Sequence, residues 1–148
     1  MPTPSTTLSP KQLIEAAKAP IMAYSDKNWD AMRACITPDF IYHEVATERR
    51  VQGVENVMPL WVEWGEAFPD SRATFHDAYV SGNTVVIELT CHGTHTGQLK
   101  LPSGPVPGTG NRIEVRSCSV FEITGDKASM QRQYFDMATM FRQLGIGG

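Results

Sequence analysis

The chain of 148 residues and 16.4 kDa has the length of one domain that can bury a hydrophobic core. A formal net charge of −3, a pI near 5.8 and the lack of any lysine or arginine cluster argue against a nucleic-acid-binding protein. No apolar run approaches the roughly 18 residues that a membrane-spanning helix needs, and the N-terminus does not read as a signal peptide. We therefore expect a cytoplasmic protein with neither a nucleic acid nor a membrane as partner.

The N-terminal part of the chain carries helical patterns. Residues 1–8 are rich in Pro and Thr and predict a disordered lead-in, so a single domain is expected over residues 9–148. Ser9-Pro10-Lys11-Gln12 has the pattern of a capped helix start, and Pro20 predicts a kink or break in that helix. Asp26 or Asn28 then caps a short second helix.

A third helix is predicted over residues 54–67, after a short strand over residues 40–45. Its apolar stripe includes Trp61, Trp64 and Phe68. Such large rings most often belong to a core, but they also suit a flat polycyclic or prenylated ligand.

From Arg72 onward the hydrophobic period changes from about 3.6 to two. This change predicts strands over residues 73–80, 85–95 and 113–123 and a last strand that ends at Asp136. Helices followed by an antiparallel sheet indicate an α+β fold. The Pro- and Gly-rich segment 97–111 is either a cover over a pocket or an extended connection between strands.

The register of the last hairpin decides where its polar side chains point. If Gly125 and Asp126 form the turn, Asp136 lies opposite Val115, Tyr134 opposite Ser117 and Arg132 opposite Ser119. Asp136, Tyr134 and Arg132 then face the same interior as the apolar side chains of the preceding strand. A change of one residue in the turn would reverse this prediction.

Two histidines are further candidates for the interior. Continuing the apolar alternation of residues 85–91 brings His95 onto the same face, at the mouth of a pocket, where it either relays a proton or holds the following loop. His43 lies in Tyr42-His43-Glu44, where the alternation is too short to decide which side chain faces inward. The three cysteines, Cys35, Cys91 and Cys118, are widely spaced, and neither a disulfide framework nor a metal site is predicted.

Several short motifs occur in a characteristic order along the chain: Trp29-Asp30-Ala31, Phe68-Pro69-Asp70, Gly93-Thr94-His95-Thr96-Gly97, Tyr134-Phe135-Asp136 and Gln143-Leu144-Gly145. Over residues 10–145 this order resembles the SnoaL-like polyketide cyclases of the nuclear transport factor 2-like superfamily. The resemblance implies a cone-shaped, curved antiparallel β-sheet wrapped by N-terminal helices around an apolar pocket. The chain departs from the family pattern at Thr109-Gly110-Asn111-Arg112 and at Gly125-Asp126-Lys127-Ala128.

The resemblance also implies an acid/base role for Asp136, whose pKa an apolar pocket would raise. The alternative is that Asp136 only caps the helix that follows it. We expect His95 and His43 as further catalytic candidates. The expected substrate-binding residues are Tyr134, Arg132, Trp61, Trp64, Phe68 and Tyr42.

These features predict a cyclase or isomerase that needs no cofactor and acts on a hydrophobic, oxygenated small molecule of polyketide or terpenoid type. The alternatives are an epoxide-opening cyclase or epoxide hydrolase, and a noncatalytic binding or dimerisation module. Two or more polar groups converging on one pocket would favour an enzyme. A homodimer is expected through the outer face of the sheet, to which the predicted register assigns Gln131, Gln133, Phe135, Val120 and Cys118.

Overall fold

The computed structural model describes residues 8–101 and 103–146. The disordered lead-in predicted for residues 1–8 lies outside these residues except for Leu8, which packs against the core. The helices are α1 Pro10–Ser25, α2 Trp29–Ala34, α3 Val54–Ala67 and α4 Met137–Leu144, with a short 3-10 turn at Val45–Thr47. The strands are β1 Ile36–Glu44, β2 Arg49–Gln52, β3 Arg72–Ser81, β4 Thr84–Thr94, β5 Leu99–Leu101, β6 Gly104–Val106, β7 Arg112–Thr124 and β8 Lys127–Phe135.

Six strands form one curved, open sheet in the order β2-β1-β8-β7-β4-β3, and β5 and β6 form a separate hairpin within the predicted loop 97–111. All neighbours in the large sheet are antiparallel except β1 and β8, which are parallel. The predicted α+β class is confirmed, with the correction that one strand pair is parallel. None of the helices in the described residues is long and apolar enough to cross a membrane.

The predicted helix signals act as expected at the start of α1. The Ser9 hydroxyl accepts from the Gln12 backbone N–H at 3.2 Å, and the Gln12 side chain accepts from the Ser9 N–H at 2.8 Å. Pro20 lies inside α1 without ending it. The Asn28 side chain, not that of Asp26, caps α2.

The core lies between the helices and the concave inner face of the sheet. Burial alternates along β7, where Ile113, Val115 and Phe121 face inward as predicted, and along β4 in the same phase. The apolar stripe of α3 packs onto this face beside α1, with Val57 and Trp61 buried. A second apolar cluster forms where α4 packs against β7 and the β5–β6 hairpin.

The predicted register of the last hairpin is wrong by one residue. Ala128 pairs with Ile123, but Met130 pairs with Glu122, so Ser129 is an extra residue that forms a β-bulge. The Ser129 hydroxyl donates to the Glu122 carbonyl at 3.2 Å, which holds the bulge in place. Because the side-chain period of a strand is two, this single residue turns every later side chain of β8 to the opposite face.

Candidate active site

A cavity of about 140 Å³ lies between α1, α3 and the inner face of the sheet. It is comparable to an engineered apolar cavity of about 150 Å³ that binds benzene in another protein. Trp61, Trp64 and Phe68 line it, as does Phe135 from the end of β8. The rings of Trp64 and Phe68 stack with centroids 6.0 Å apart, and Trp64 meets Phe135 edge-on at 6.4 Å. The cavity therefore has an aromatic wall.

A row of polar side chains crosses the sheet at one wall of the cavity. Glu44 of β1 pairs with Gln133 of β8, which pairs in turn with Ser119 of β7. The Oε1 atom of Gln133 accepts from the Ser119 hydroxyl and from Gln131 Nε2, the latter at 3.1 Å. Since these two donors occupy Oε1, the amide N–H groups of Gln133 are left for another partner.

Glu44 is 1% exposed and is the one carboxylate that lines this cavity among the described residues. Its Oε1 accepts from Thr47 Oγ1 at 2.6 Å and from Arg49 Nη2 and Nε at 2.9 and 3.2 Å. Its Oε2 accepts from the Tyr42 hydroxyl at 2.8 Å and from Trp64 Nε1 at 3.1 Å. Charge pairing and hydrogen bonds on both oxygens allow this carboxylate to stay buried.

Other polar groups face the same cavity. Cys91 Sγ lies 3.6 Å from the Ser117 hydroxyl, and burial raises the pKa of the Cys91 thiol. Tyr24 and Ser71 line the opposite side, with their hydroxyl oxygens 3.1 Å apart. Together with Glu44 and Gln133, these groups satisfy the criterion of several polar groups converging on one pocket.

Asp136 does not face this cavity. It is exposed at the end of β8, where its Oδ1 accepts from the Ala138 N–H at 2.9 Å and its Oδ2 accepts from the Thr139 hydroxyl at 2.8 Å. The hydrogen bond from Thr139, followed by that from Ala138, lowers the pKa of Asp136. The predicted interior position is thus wrong, and Asp136 acts as the N-cap of α4.

The same bulge moves the two predicted neighbours of Asp136. Tyr134 lies opposite Cys118 and is 41% exposed, and Arg132 lies opposite Val120, 3.7 Å from Glu122. Neither side chain lines the cavity. Gln131, Gln133 and Phe135, which the sequence placed on the outer face, take the interior positions instead.

His95 faces inward as predicted but lies behind the pocket wall. It is fully buried against the Phe68 ring, with centroids 5.3 Å apart, and is not among the residues that line the cavity. Its Nδ1 accepts from the Thr109 N–H at 3.3 Å, so His95 holds the following loop. Burial lowers the pKa of His95, which favours the neutral imidazole.

The predicted site residues Tyr42 and His43 lie on opposite faces of β1. His43 points away from the interior, because Phe40, Tyr42 and Glu44 are the buried residues of that part of the strand. Tyr42 is not among the cavity-lining residues, and its hydroxyl instead donates a hydrogen bond to Glu44. Glu44 is the residue that the sequence analysis missed, although its spacing from the aromatic residues Phe40 and Tyr42 is a period-two signal.

Comparison with protein-family models matches residues 14–144 to the SnoaL-like polyketide cyclase family. The chain belongs to this family. The family resemblance stated from the sequence is therefore confirmed, and membership favours an enzyme of the cyclase or isomerase type. A search of curated proteins finds no match.

Solved structures share the fold at low sequence identity. A candidate SnoaL-like polyketide cyclase from Jannaschia sp. CCS1 is 19% identical with a TM-score of 0.81, covering 97% of this chain and 100% of that chain. IdmH, a candidate polyketide cyclase from Streptomyces antibioticus, is 22% identical with a TM-score of 0.75, covering 91% and 99%. An LEH-like epoxide hydrolase from M. tuberculosis is 22% identical with a TM-score of 0.71, covering 90% of each chain.

Proposed function

We propose that this protein is a cofactor-independent cyclase or isomerase that acts on a hydrophobic, oxygenated metabolite of polyketide or terpenoid type. The observation that carries the proposal is the polar row of Glu44, Gln133 and Ser119 at one wall of a mainly apolar cavity with an aromatic side. Aromatic walls suit a flat carbon skeleton, and a few placed polar groups suit its oxygens. Membership of the SnoaL-like family supports the same class of reaction.

In the proposed cyclisation, Glu44 removes a proton from a carbon between two carbonyl groups. The electrons of the broken C–H bond form an enolate, whose carbon attacks a second carbonyl of the same molecule and forms a C–C bond. The resulting alkoxide takes the proton back from Glu44, so the net reaction is an isomerisation and needs no co-reactant. Proton transfer to Oε2 requires Tyr42 or Trp64 to release its hydrogen bond.

The rest of the pocket contributes by position. The free amide N–H groups of Gln133, next to Glu44 in the sheet, are suited to hold the enolate oxygen. The apolar walls bring the reacting carbons of one molecule together, which replaces an encounter in solution. We assign the acid/base role to Glu44 in place of Asp136, because Asp136 is exposed and occupied with the cap of α4.

The test uses a series of aryl 1,3-diketones of increasing size, with deuterium exchange at the carbon between the carbonyls followed by NMR in D2O. We expect the wild type to accelerate exchange over buffer and Glu44→Gln to lose about 100-fold or more of that acceleration. Glu55→Gln is the matched control, since the Glu55 side chain is 77% exposed. Equal exchange by wild type and Glu44→Gln would refute the role of Glu44.

One observation favours a noncatalytic binding protein as the second candidate. The donors Thr47, Arg49, Tyr42 and Trp64 already occupy both oxygens of Glu44, which is the arrangement of a structural carboxylate. In that case the diketones bind to the wild type, but no member of the series exchanges faster than in buffer.

We also propose a homodimer formed through the outer face of the sheet. In the observed register Cys118 and Val120 stay on this face, as predicted, and Tyr134 lies there instead of the glutamines and Phe135. A monomer by sizing chromatography at high concentration would contradict the proposal. The cytoplasmic location stays a prediction from the sequence.

A further inference from the structure

A charged lysine, a serine and a tyrosine form a chain of hydrogen bonds at the side of the pocket opposite Glu44. Lys27 Nζ lies 2.9 Å from both the Ser71 hydroxyl and the Ser71 carbonyl oxygen. Ser71 is 8% exposed, and its hydroxyl lies 3.1 Å from that of Tyr24. Lys27 Nζ also lies 4.7 Å from the centroid of the Tyr24 ring.

The directions of these hydrogen bonds follow from the chemistry of the groups. An ammonium group only donates, so the Ser71 oxygen accepts from Lys27. Ser71 then directs its own proton to the Tyr24 oxygen, which acts as acceptor. The Tyr24 proton is thereby left free for a partner in the cavity that Tyr24 lines.

The backbone at Lys27 supports a role for its side chain. Lys27 has φ of 54°, in the left-handed region where a helix of this kind usually ends in glycine. A residue with a side chain costs roughly 1 kcal/mol there. Here the side chain reaches Ser71, a contact that glycine could not make.

The Tyr24 hydroxyl is also suited to remain a donor. Burial raises the pKa of Tyr24, and the neighbouring Cys91 and Glu44 add to that rise, so the hydroxyl keeps its proton at neutral pH. The Tyr24 ring meets Trp29 edge-on with centroids 6.0 Å apart, which restricts its orientation. Hydrogen bonding from Ser71 polarises the O–H group further.

We propose that Tyr24 donates a hydrogen bond to a carbonyl oxygen of the bound substrate, with Ser71 and Lys27 as the positioning residues that direct its proton into the pocket. The inference rests on the proposed function for the presence of a carbonyl in the substrate. It adds a second oxygen-binding point across the cavity from Glu44 and Gln133. The preferred ligand is thus an aromatic or polycyclic compound with an uncharged carbonyl group.

The test compares acetophenone with ethylbenzene, in which a CH2 group replaces the carbonyl. We expect the wild type to bind the ketone in preference to the hydrocarbon, and Tyr24→Phe to weaken ketone binding roughly three- to tenfold. Ethylbenzene binding should change less than twofold. Tyr79→Phe, at a tyrosine that is 54% exposed, is the matched control and should leave both affinities unchanged.

The infrared carbonyl stretch of bound acetophenone reports the hydrogen bond directly. It should lie at lower wavenumber in the wild type than in Tyr24→Phe. Ser71→Ala, which keeps the Tyr24 hydroxyl but removes its donor, should give an intermediate value. An unchanged stretch in both variants, or a wild type without ketone preference, overturns the inference. These are binding measurements, so loss of exchange activity in Glu44→Gln alone leaves their outcome unaffected.

Discussion

The ion pair between Arg49 and Glu44 gives the sharpest test of how this site is held together. Replacing Arg49 with Met removes the guanidinium and keeps most of the aliphatic side chain. Glu44 then loses its counter-charge and two hydrogen bonds to Oε1, while it keeps those from Thr47, Tyr42 and Trp64. Because the Glu44 side chain is only 1% exposed, its negative charge would then be buried without a counter-charge.

The expected loss of stability can be worked from this geometry. Breaking a buried ion pair by removing one partner costs about 3–5 kcal/mol. The Arg49 side chain is 20% exposed, so water reaches the gap it leaves, and three neutral donors still hold the carboxylate. We therefore expect the free energy of unfolding to fall by about 3 kcal/mol, the low end of this range. This corresponds to a fall in Tm of roughly 6–12 °C for a chain of this size.

Urea unfolding measures this loss, and the slope with urea concentration should not change. Arg33→Met is the matched control, because Arg33 and Glu55 form an ion pair at 2.7 Å with side chains 46% and 77% exposed. That pair is shorter than the 2.9 Å contact of Arg49, yet its loss should cost less than about 0.5 kcal/mol. Equal losses in the two variants would refute the argument that burial, and not distance, sets the strength of the pair.

Three further predictions follow from single contacts. Asp136→Asn, which retains an N-capping side chain, should keep any diketone exchange activity, whereas Asp136→Ala should lose about 1 kcal/mol in urea unfolding with no loss of ligand affinity. Burial lowers the pKa of His95 below its unfolded value of 6.5, so the unfolded chain binds the proton more readily, and stability should fall as pH drops below about 6.5. Urea midpoints at pH 5.5 and 7.5 should show a smaller fall in His95→Gln than in the wild type. Gly97→Ala would bring a Cβ into a clash with the Glu66 carbonyl oxygen and should lose at least about 2 kcal/mol in thermal unfolding.

Features that depend on neighbouring residues were predictable from the sequence. The capping box at Ser9, the bounds of α3 and the alternation of β4 and β7 each rest on signals within a few positions. The family resemblance covered residues 10–145, close to the matched 14–144. The short strand β2 and the β5–β6 hairpin were missed, since strands of three or four residues are too short to give a measurable period.

The register of β8 could not be obtained in the same way. The turn itself was placed correctly, with Thr124 opposite Lys127, but the bulge at Ser129 lies just beyond it. Serine is compatible with a regular strand and with a bulge, so its identity does not reveal the extra residue. The apolar pattern after Ser129 could have tested the predicted register. That register placed the apolar Phe135 on the outer face and the charged Arg132 in the interior, which is the reverse of the usual preference.

Glu44 shows why the site depends on pairing between distant segments. A glutamate at the end of a strand usually lies at the surface, and only Phe40 and Tyr42 in the same phase indicate the inward direction. The buried Glu44 carboxylate is stabilised by hydrogen bonds from Arg49 of β2, Trp64 of α3 and Thr47 in the turn between β1 and β2. Gln133 lies beside Glu44 because β8 pairs with β1 in parallel. Because of the bulge at Ser129, Gln133 faces the pocket and Asp136 does not. One inserted residue thus determines which polar groups a ligand would meet.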